Sequence, residues 1–261
     1  MLNLLKMKKR FALILLVLFV VSCSSDSTSN ETSTDAILLR RTIQTRTDVS
    51  GDMPITTNFT YNGNKLVRID TDDGFHRKYY YTADLITRVE VYFQVEDEPI
   101  IFKYSYNNLG QLASFTRTDQ VVDQGFKLLY SYNSNGTISV REFSGNATTQ
   151  TEEGQASEYF LTNSGEIDHI ETQEASGTVI TRSYTYDAKN NPFKNVLGFD
   201  KFFFSDTGFR HNVTSIMTAN VQAYDVTSTF TYNANDYPIS AIEIVSDSFG
   251  STTSTIEYIY E

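Results

Sequence analysis

The sequence predicts an all-β fold: a long antiparallel up-and-down meander of hairpin repeats, curled or closed into a barrel-like sheet. Two observations predict it. A short phrase, Tyr-x-Tyr-Asn-x-x-Gly-x-Leu, recurs along the chain, and most copies follow a run in which apolar and polar residues alternate. A phrase repeated at a loosely fixed period is one supersecondary unit used many times. Alternation with period two is the signature of a half-buried antiparallel strand.

The first 22 residues read as a targeting segment. Lys6, Lys8, Lys9 and Arg10 make a positive start, and Phe11 to Val21 form an apolar run. That run is shorter than the about 20 residues that span a bilayer as a helix. Val20-Val21-Ser22-Cys23 resembles a bacterial lipobox, which implies cleavage before Cys23 and a diacylated N-terminal cysteine. The membrane is then a partner through the lipid on Cys23. This is the only cysteine in the chain, so no disulfide is possible and stability must come from a core. Residues 23–35, rich in Ser, Thr, Asn and acids, have nothing to bury and read as a flexible tether. Ser24 after the cysteine, by resemblance to lipoprotein sorting rules, favours the outer membrane. The cell surface and the periplasmic face both remain open.

Removing residues 1–22 takes four of the 21 basic side chains and none of the 32 acidic ones, leaving a net charge of about −15. Such a chain is repelled by phosphate backbones, which argues against nucleic acid as a partner. It is also long enough to bury a sizeable core.

Residues 36–261 read as a single β-repeat domain. The clearest copy of the phrase is Tyr104-Ser-Tyr106-Asn107-Asn-Leu-Gly110-Gln-Leu112, and others centre on Tyr61, Tyr132, Tyr186 and Tyr232. In front of the clearest copy, Ile100, Phe102, Tyr104 and Tyr106 share one face, while Ile101, Lys103 and Ser105 share the other. Asn at the first turn position and Gly at the fourth suit a type I turn ending in a left-handed residue. The return strand often carries apolar residues three apart: Leu66 and Ile69, Leu112 and Phe115, Ile167 and Ile170, Ile239 and Ile242. Spacing of three breaks period two and predicts a bulge or strong twist. Units near 25 residues give roughly sixteen strands of about ten residues. A sheet of that size has to curl or close. One end of each unit carries the tight Asn-x-x-Gly turn, and the other a looser polar connection such as 70–74, 96–99 or 246–250. Between the repeats, Asn191 before Pro192 suits a helix start. The expectation is a short helix near 191–200 with Phe193, Val196 and Leu197 on one face, packed on an end or the inside of the sheet.

These phrases resemble YD repeats, the units of the spiral shells of Rhs-type and Tc-type toxins, over most of residues 55–260. The chain has no long array, cleavage motif or C-terminal toxin domain of that kind. A closer resemblance is to uncharacterised repeat lipoproteins of Bacteroidota. One domain-of-unknown-function family among them has a porin-like barrel fold, and the Asn190-Asn-Pro-Phe-Lys-Asn segment looks like the insert of those chains. The resemblance implies fold and location and carries no activity.

Chemistry is sparse. His76, His169 and His211 have no ligand spacing, so no metal or cofactor is expected. Asp70-Thr-Asp72-Asp73-Gly74 begins like a calcium loop but puts Gly at its fifth position and Tyr81 at its twelfth. Hydrolase signatures such as Gly-x-Ser-x-Gly and His-Glu-x-x-His do not occur, and no catalytic residue is assigned. The motif tyrosines lie on the apolar face and read as core. The sequence therefore points to a lipid-anchored, non-catalytic binding or scaffold module of the outer membrane, with a glycan or an envelope protein as partner. The alternatives are a secreted polysaccharide-acting hydrolase and a periplasmic envelope-assembly component. The candidate binding edge is the looser hairpin end, with Asp70, Asp72, Asp73, Glu96, Asp97 and Glu98. A lipid anchor argues against strands that themselves span the membrane.

Overall fold

A computed structural model describes residues 36–48, 51–94, 97–201, 208–220 and 225–261. The targeting segment, Cys23 and the tether lie outside these residues. The first eight strands are β1 (Leu39–Asp48), β2 (Gly51–Asn62), β3 (Lys65–Thr71), β4 (His76–Thr82), β5 (Leu85–Tyr92), β6 (Ile100–Tyr106), β7 (Leu112–Asp119) and β8 (Gln124–Tyr132). The others are β9 (Ile138–Gly145), β10 (Gln150–Leu161), β11 (Ile167–Gln173), β12 (Val179–Tyr186), β13 (Val213–Ala219), β14 (Asp225–Tyr232), β15 (Pro238–Asp247) and β16 (Gly250–Tyr260). Each pairs antiparallel with its sequence neighbours, and β1 pairs with β16 to close the barrel. Beyond that seam, Leu38 and Glu261 exchange backbone hydrogen bonds of 3.2 Å. Closure removes the edges that an open meander would expose.

The repeat phrase explains each hairpin. Asn107 N–H donates to Gln111 O and Gly110 N–H to Asn107 O, both at 2.9 Å. The Asn107 side chain accepts from Leu109 N–H at 2.9 Å and Gln111 N–H at 3.0 Å. Gly110 has φ +70°, a backbone state that only glycine adopts at little cost. The apolar pair three apart marks a bulge: Ser105 faces Ser114, but Tyr106 faces Leu112. Where the spacing is two, at Ile138 and Val140, the register with Tyr132 and Tyr130 runs unbroken. The next repeat uses a carbonyl beside the bulge. Tyr106 Oη donates to Ile86 O at 2.6 Å, Tyr132 Oη to Leu112 O at 3.1 Å, and Tyr186 Oη to Ile167 O at 2.7 Å.

Two expectations are corrected. Ile239 and Ile242 are both exposed on the outer wall. The inward positions belong to Pro238 and Ala241, because Tyr232 faces Pro238 and Asp236 takes the glycine place with φ +61°. The segment near 191–200 is a chain of tight turns ending in one 3-10 turn, Phe199–Lys201, rather than an α-helix. Its backbone bonds close over three residues: Lys194 N–H to Asn191 O, Val196 N–H to Phe193 O, and Phe199 N–H to Val196 O. Such turns put every third side chain in line, so Phe193, Val196 and Phe199 pack inward while Leu197 is exposed.

That segment also tells which side of the sheet is the lumen. Phe193 lies 5.6 Å from the Phe59 ring, and Phe199 6.3 Å from Tyr79. Leu197 N–H donates to Asn64 O at 3.0 Å. Asn195 Nδ2 donates to Ile37 O at 3.0 Å and to Tyr237 Oη at 2.8 Å. One short segment touches strands and turns this far apart only from within the ring or across its mouth. It plugs the tight-turn end against the apolar face, which is therefore the lumenal one.

Candidate functional site

Register fixes which residues look into the barrel and which look out. Around the tight-turn half of the lumen, Leu39, Leu66, Ile86, Leu112, Ile138 and Ile216 are all fully buried. Toward the looser hairpins the lumen opens. Met53 and Ile55 on β2 are opposite Arg46 and Gln44 on β1 and share the inward face with Phe59, yet are 58% and 38% exposed. A sixteen-stranded barrel is wider than its own side chains can fill, so the half without the plug remains a cup.

The cup wall carries charge. Arg77 sits inward between Ile69 and Val91, and Arg117 inward between Phe102 and Phe126. Arg46 and Glu243 flank Ser254 on the same face. Glu142 lies inward opposite Leu128. Arg77 also rests over the Phe75 ring at 5.0 Å. Burial pushes the Glu142 and Glu243 carboxyls above their ordinary value. None of Arg46, Arg77, Arg117, Glu142 and Glu243 forms an ion pair with another described residue.

The outer wall is polar over β3 to β6, whereas Ile242, Ile244 and Ile259 are exposed on its β15 and β16 side. Arg68, Lys78, Arg88 and Lys103 occupy facing outward positions on β3 to β6. Among them Glu90 is buried and accepts from Tyr80 Oη at 2.6 Å, Tyr92 Oη at 3.0 Å and Arg88 at 2.5 Å. Burial opposes its charge, but the two tyrosine bonds with Arg88 and Lys78 outweigh it and hold the carboxyl below its ordinary value. The bond to Glu90 pushes Tyr80 up to about 12. His76 stacks on Tyr92 at 4.3 Å, and Lys78 stands 4.7 Å over the same ring.

The acids of the expected binding edge are placed as follows. Asp70 is on the outer wall of β3 and holds Arg68 Nε at 2.7 and 2.8 Å. Asp72 Oδ2 accepts from Thr56 N–H at 3.1 Å. Asp73 accepts from the Thr71 hydroxyl and from Phe75 N–H, and these bonds hold its carboxyl below the ordinary value. Asp97 and Glu98 are exposed in the β5–β6 connection, and Glu96 lies outside the described residues. Phe75 and Phe93, 5.9 Å apart edge to face, bring the two connections together. Asp70 and Asp73 thus brace their own hairpin, and Asp72 ties it to β2.

Sequence reasoning missed two carboxylates at the plugged end. Glu166 is buried and accepts from Arg210 N–H at 3.0 Å, His211 N–H at 2.9 Å and Ser164 Oγ at 3.0 Å, with His211 Nδ1 at 2.7 Å. Burial opposes its charge, but these bonds hold its carboxyl below the ordinary range. Ser164 bonds the carboxylate rather than the imidazole, so this trio holds a segment in place and does not activate a hydroxyl. Asp187 accepts from Asn212 N–H at 3.1 Å, Asn212 Nδ2 at 2.9 Å and the Tyr232 hydroxyl. Among the described residues no group of three His, Cys, Asp or Glu could hold a metal.

The fold and site thus define a closed, up-and-down sixteen-stranded barrel, plugged at one end. No protein-family model and no curated protein matches the sequence. Among solved structures, the chain is similar to a porin-like protein from Bacteroides uniformis, with TM-score 0.53 and 12% identity over 85% of this chain and 96% of that one. A porin-like protein from Bacteroides vulgatus aligns with TM-score 0.41 and 11% identity over 85% of this chain and 99% of that one. The first of these shares the barrel fold.

Proposed function

We propose that the chain is a lipid-anchored, non-catalytic binding module of the outer membrane whose barrel stands in water. One observation carries this reading: the polarity of the wall over β3 to β10. In a barrel that spans a bilayer, apolar residues face outward in a continuous band, and each Arg or Lys at the midplane costs roughly 2–4 kcal/mol. Here Phe102, Tyr104 and Phe115 face inward, while Arg68, Lys78, Arg88, Lys103, Lys127 and Arg141 face outward. Glu90 and Glu158 are braced on the same outer side, the latter by Ser139 Oγ at 2.8 Å. Lipid would desolvate this wall, and water satisfies it. The anchor is then the diacyl group on Cys23, with residues 23–35 as tether.

A chain beginning at Asp35, without acyl groups, should be recovered from the soluble fraction without detergent and give a β-sheet circular dichroism spectrum. Recovery only in detergent would overturn the reading. Fatty-acid labelling that survives Cys23→Ser would overturn the anchor.

A further inference from the structure

We infer that the open half of the lumen, rather than the acidic hairpin edge, is the binding site, and that it takes an acidic oligosaccharide. The inference deepens the proposed function and rests on its water-facing barrel.

Three observations converge on the cup. Its wall includes apolar side chains that remain open, with Met53 58% exposed on the lumenal face. It presents three guanidinium groups that have no carboxylate partner among the described residues, Arg46, Arg77 and Arg117, on β1, β4 and β7. It also holds two carboxyls, Glu142 and Glu243, that make no described hydrogen bond. The surrounding protein is strongly acidic, with a formal net charge of −11, so three inward arginines without a carboxylate partner among the described residues stand out against that background. Strands three apart stand about 14 Å from one another along the wall at ~4.8 Å per strand. A ligand that reaches two of these arginines is therefore an oligomer. Guanidinium forks match carboxylates in two-point bonds. Phe102 and Phe126, flanking Arg117, offer faces on which sugar rings can lie. Glu142 and Glu243 can accept from hydroxyls. A uronic-acid oligosaccharide supplies carboxylate, ring face and hydroxyl together.

The edge acids compete poorly for that role, since Asp70 and Asp73 are already bonded within their hairpin and Asp72 to Thr56 of β2. The cup mouth nevertheless lies at the same end of the barrel, so both sites would face the same solvent.

The test is titration of the full lipidated protein in detergent with trigalacturonate, followed by quenching of its tyrosine emission, which no tryptophan obscures. Maltotriose serves as the neutral control. Saturable binding of trigalacturonate is expected, weakened by salt and at least about tenfold tighter than maltotriose. In the double variant Arg77→Gln/Arg117→Gln, affinity should fall by about tenfold or more. Replacing Asp70, Asp72, Asp73, Glu96, Asp97 and Glu98 by Asn or Gln should leave it unchanged. No binding by the wild type up to about 1 mM, equal affinity for maltotriose, or an unaffected arginine variant with an intact circular dichroism spectrum would each overturn the inference. A barrel that proves soluble without detergent yet ignores trigalacturonate refutes this inference alone. A barrel recoverable only in detergent refutes the proposed function instead.

Discussion

Replacing Tyr106 by Phe removes one oxygen from a buried place and tests the logic of the repeat. The Tyr106 hydroxyl donates to Ile86 O at 2.6 Å, and Ile86 is fully buried. The register of β5 with β6 ends at Arg88 opposite Lys103, so Ile86 lies past that ladder and no β6 residue replaces the hydroxyl. A net hydrogen bond is worth about 1 kcal/mol, and stranding a buried acceptor costs a further ~1–3 kcal/mol. Tyr106→Phe should therefore cost about 2 kcal/mol, or a fall of roughly 4–8 °C in melting temperature for a domain of this size. The control is Tyr61→Phe, the same change at the equivalent place in another repeat. Tyr61 Oη is buried with no hydrogen-bond partner among the described residues, and burial raises its pKa. Losing that hydroxyl should be neutral or stabilising by up to about 1 kcal/mol, because an unpaired polar group is relieved. Urea unfolding of both variants decides it. If the two unfold together, the tyrosine-to-bulge bond does not stabilise the repeat, and this account of the phrase is wrong.

Glu166→Gln should cost about 2 kcal/mol at neutral pH, since four donors lose a charged acceptor. The Glu166 carboxyl titrates below the ordinary value of 4.5 when folded. Its stabilisation is thus present above about 4.5 and drains away as pH falls through the folded pKa. Urea midpoints measured from pH 7 to pH 3 should show the wild-type advantage over Glu166→Gln shrinking in acid, and a constant gap would refute this. Gly136→Ala, at φ +89° with open space for a methyl group, should cost about 1 kcal/mol of backbone strain. Gly208→Ala, whose methyl would stand 2.4 Å from His211 O, should cost distinctly more, and thermal melts compare the two. Phe193→Ala, which strips the plug of its contacts with Phe59 and Phe199 at 5.6 and 4.9 Å, should cost about 3 kcal/mol by the same measurement.

What could be read from the sequence was what the chain encodes within about ten residues. Strand, turn, bulge and inward tyrosine all lie inside one copy of Tyr-x-Tyr-Asn-x-x-Gly-x-Leu, so Gly110 and the Leu112–Phe115 step announced themselves. The long-range pairs did not. Glu166 and His211 are 45 positions apart, as are Asp187 and Tyr232, and neither lies in a repeated pattern that points to the other. The plug misled for a local reason. Asn191 does cap, its side chain accepting from Phe193 N–H at 2.9 Å, but Gly198 at φ +81° and the bond from Leu197 N–H to Asn64 O divert the chain before a helix can grow. Phe199, three beyond Val196, was the signal for the tighter spacing. For the hairpin acids, sequence gives charge without partner. Arg68 is only two residues from Asp70, a spacing that puts both on one face of a strand.

The width of the barrel links these parts. Each repeat buries its tyrosines against its neighbours, and nothing in the phrase limits how many copies follow one another. By sixteen strands the ring is too wide for inward side chains to meet at its centre. The chain meets that problem at one end only. Phe193, Val196 and Phe199 fill the tight-turn half, and Glu166 and Asp187, through His211 and Asn212, tie down the segment that returns from the plug. At the other end charged residues join the apolar ones, with Arg46, Arg77, Arg117, Glu142 and Glu243 set among Met53, Ile55, Val91 and Phe102. Charged groups on an unfilled wall retain water, whereas a purely apolar wall of that width would favour collapse or association. The inward charges thus keep the cup open, and the same arginines and carboxylates that keep it open are the groups able to recognise what enters it.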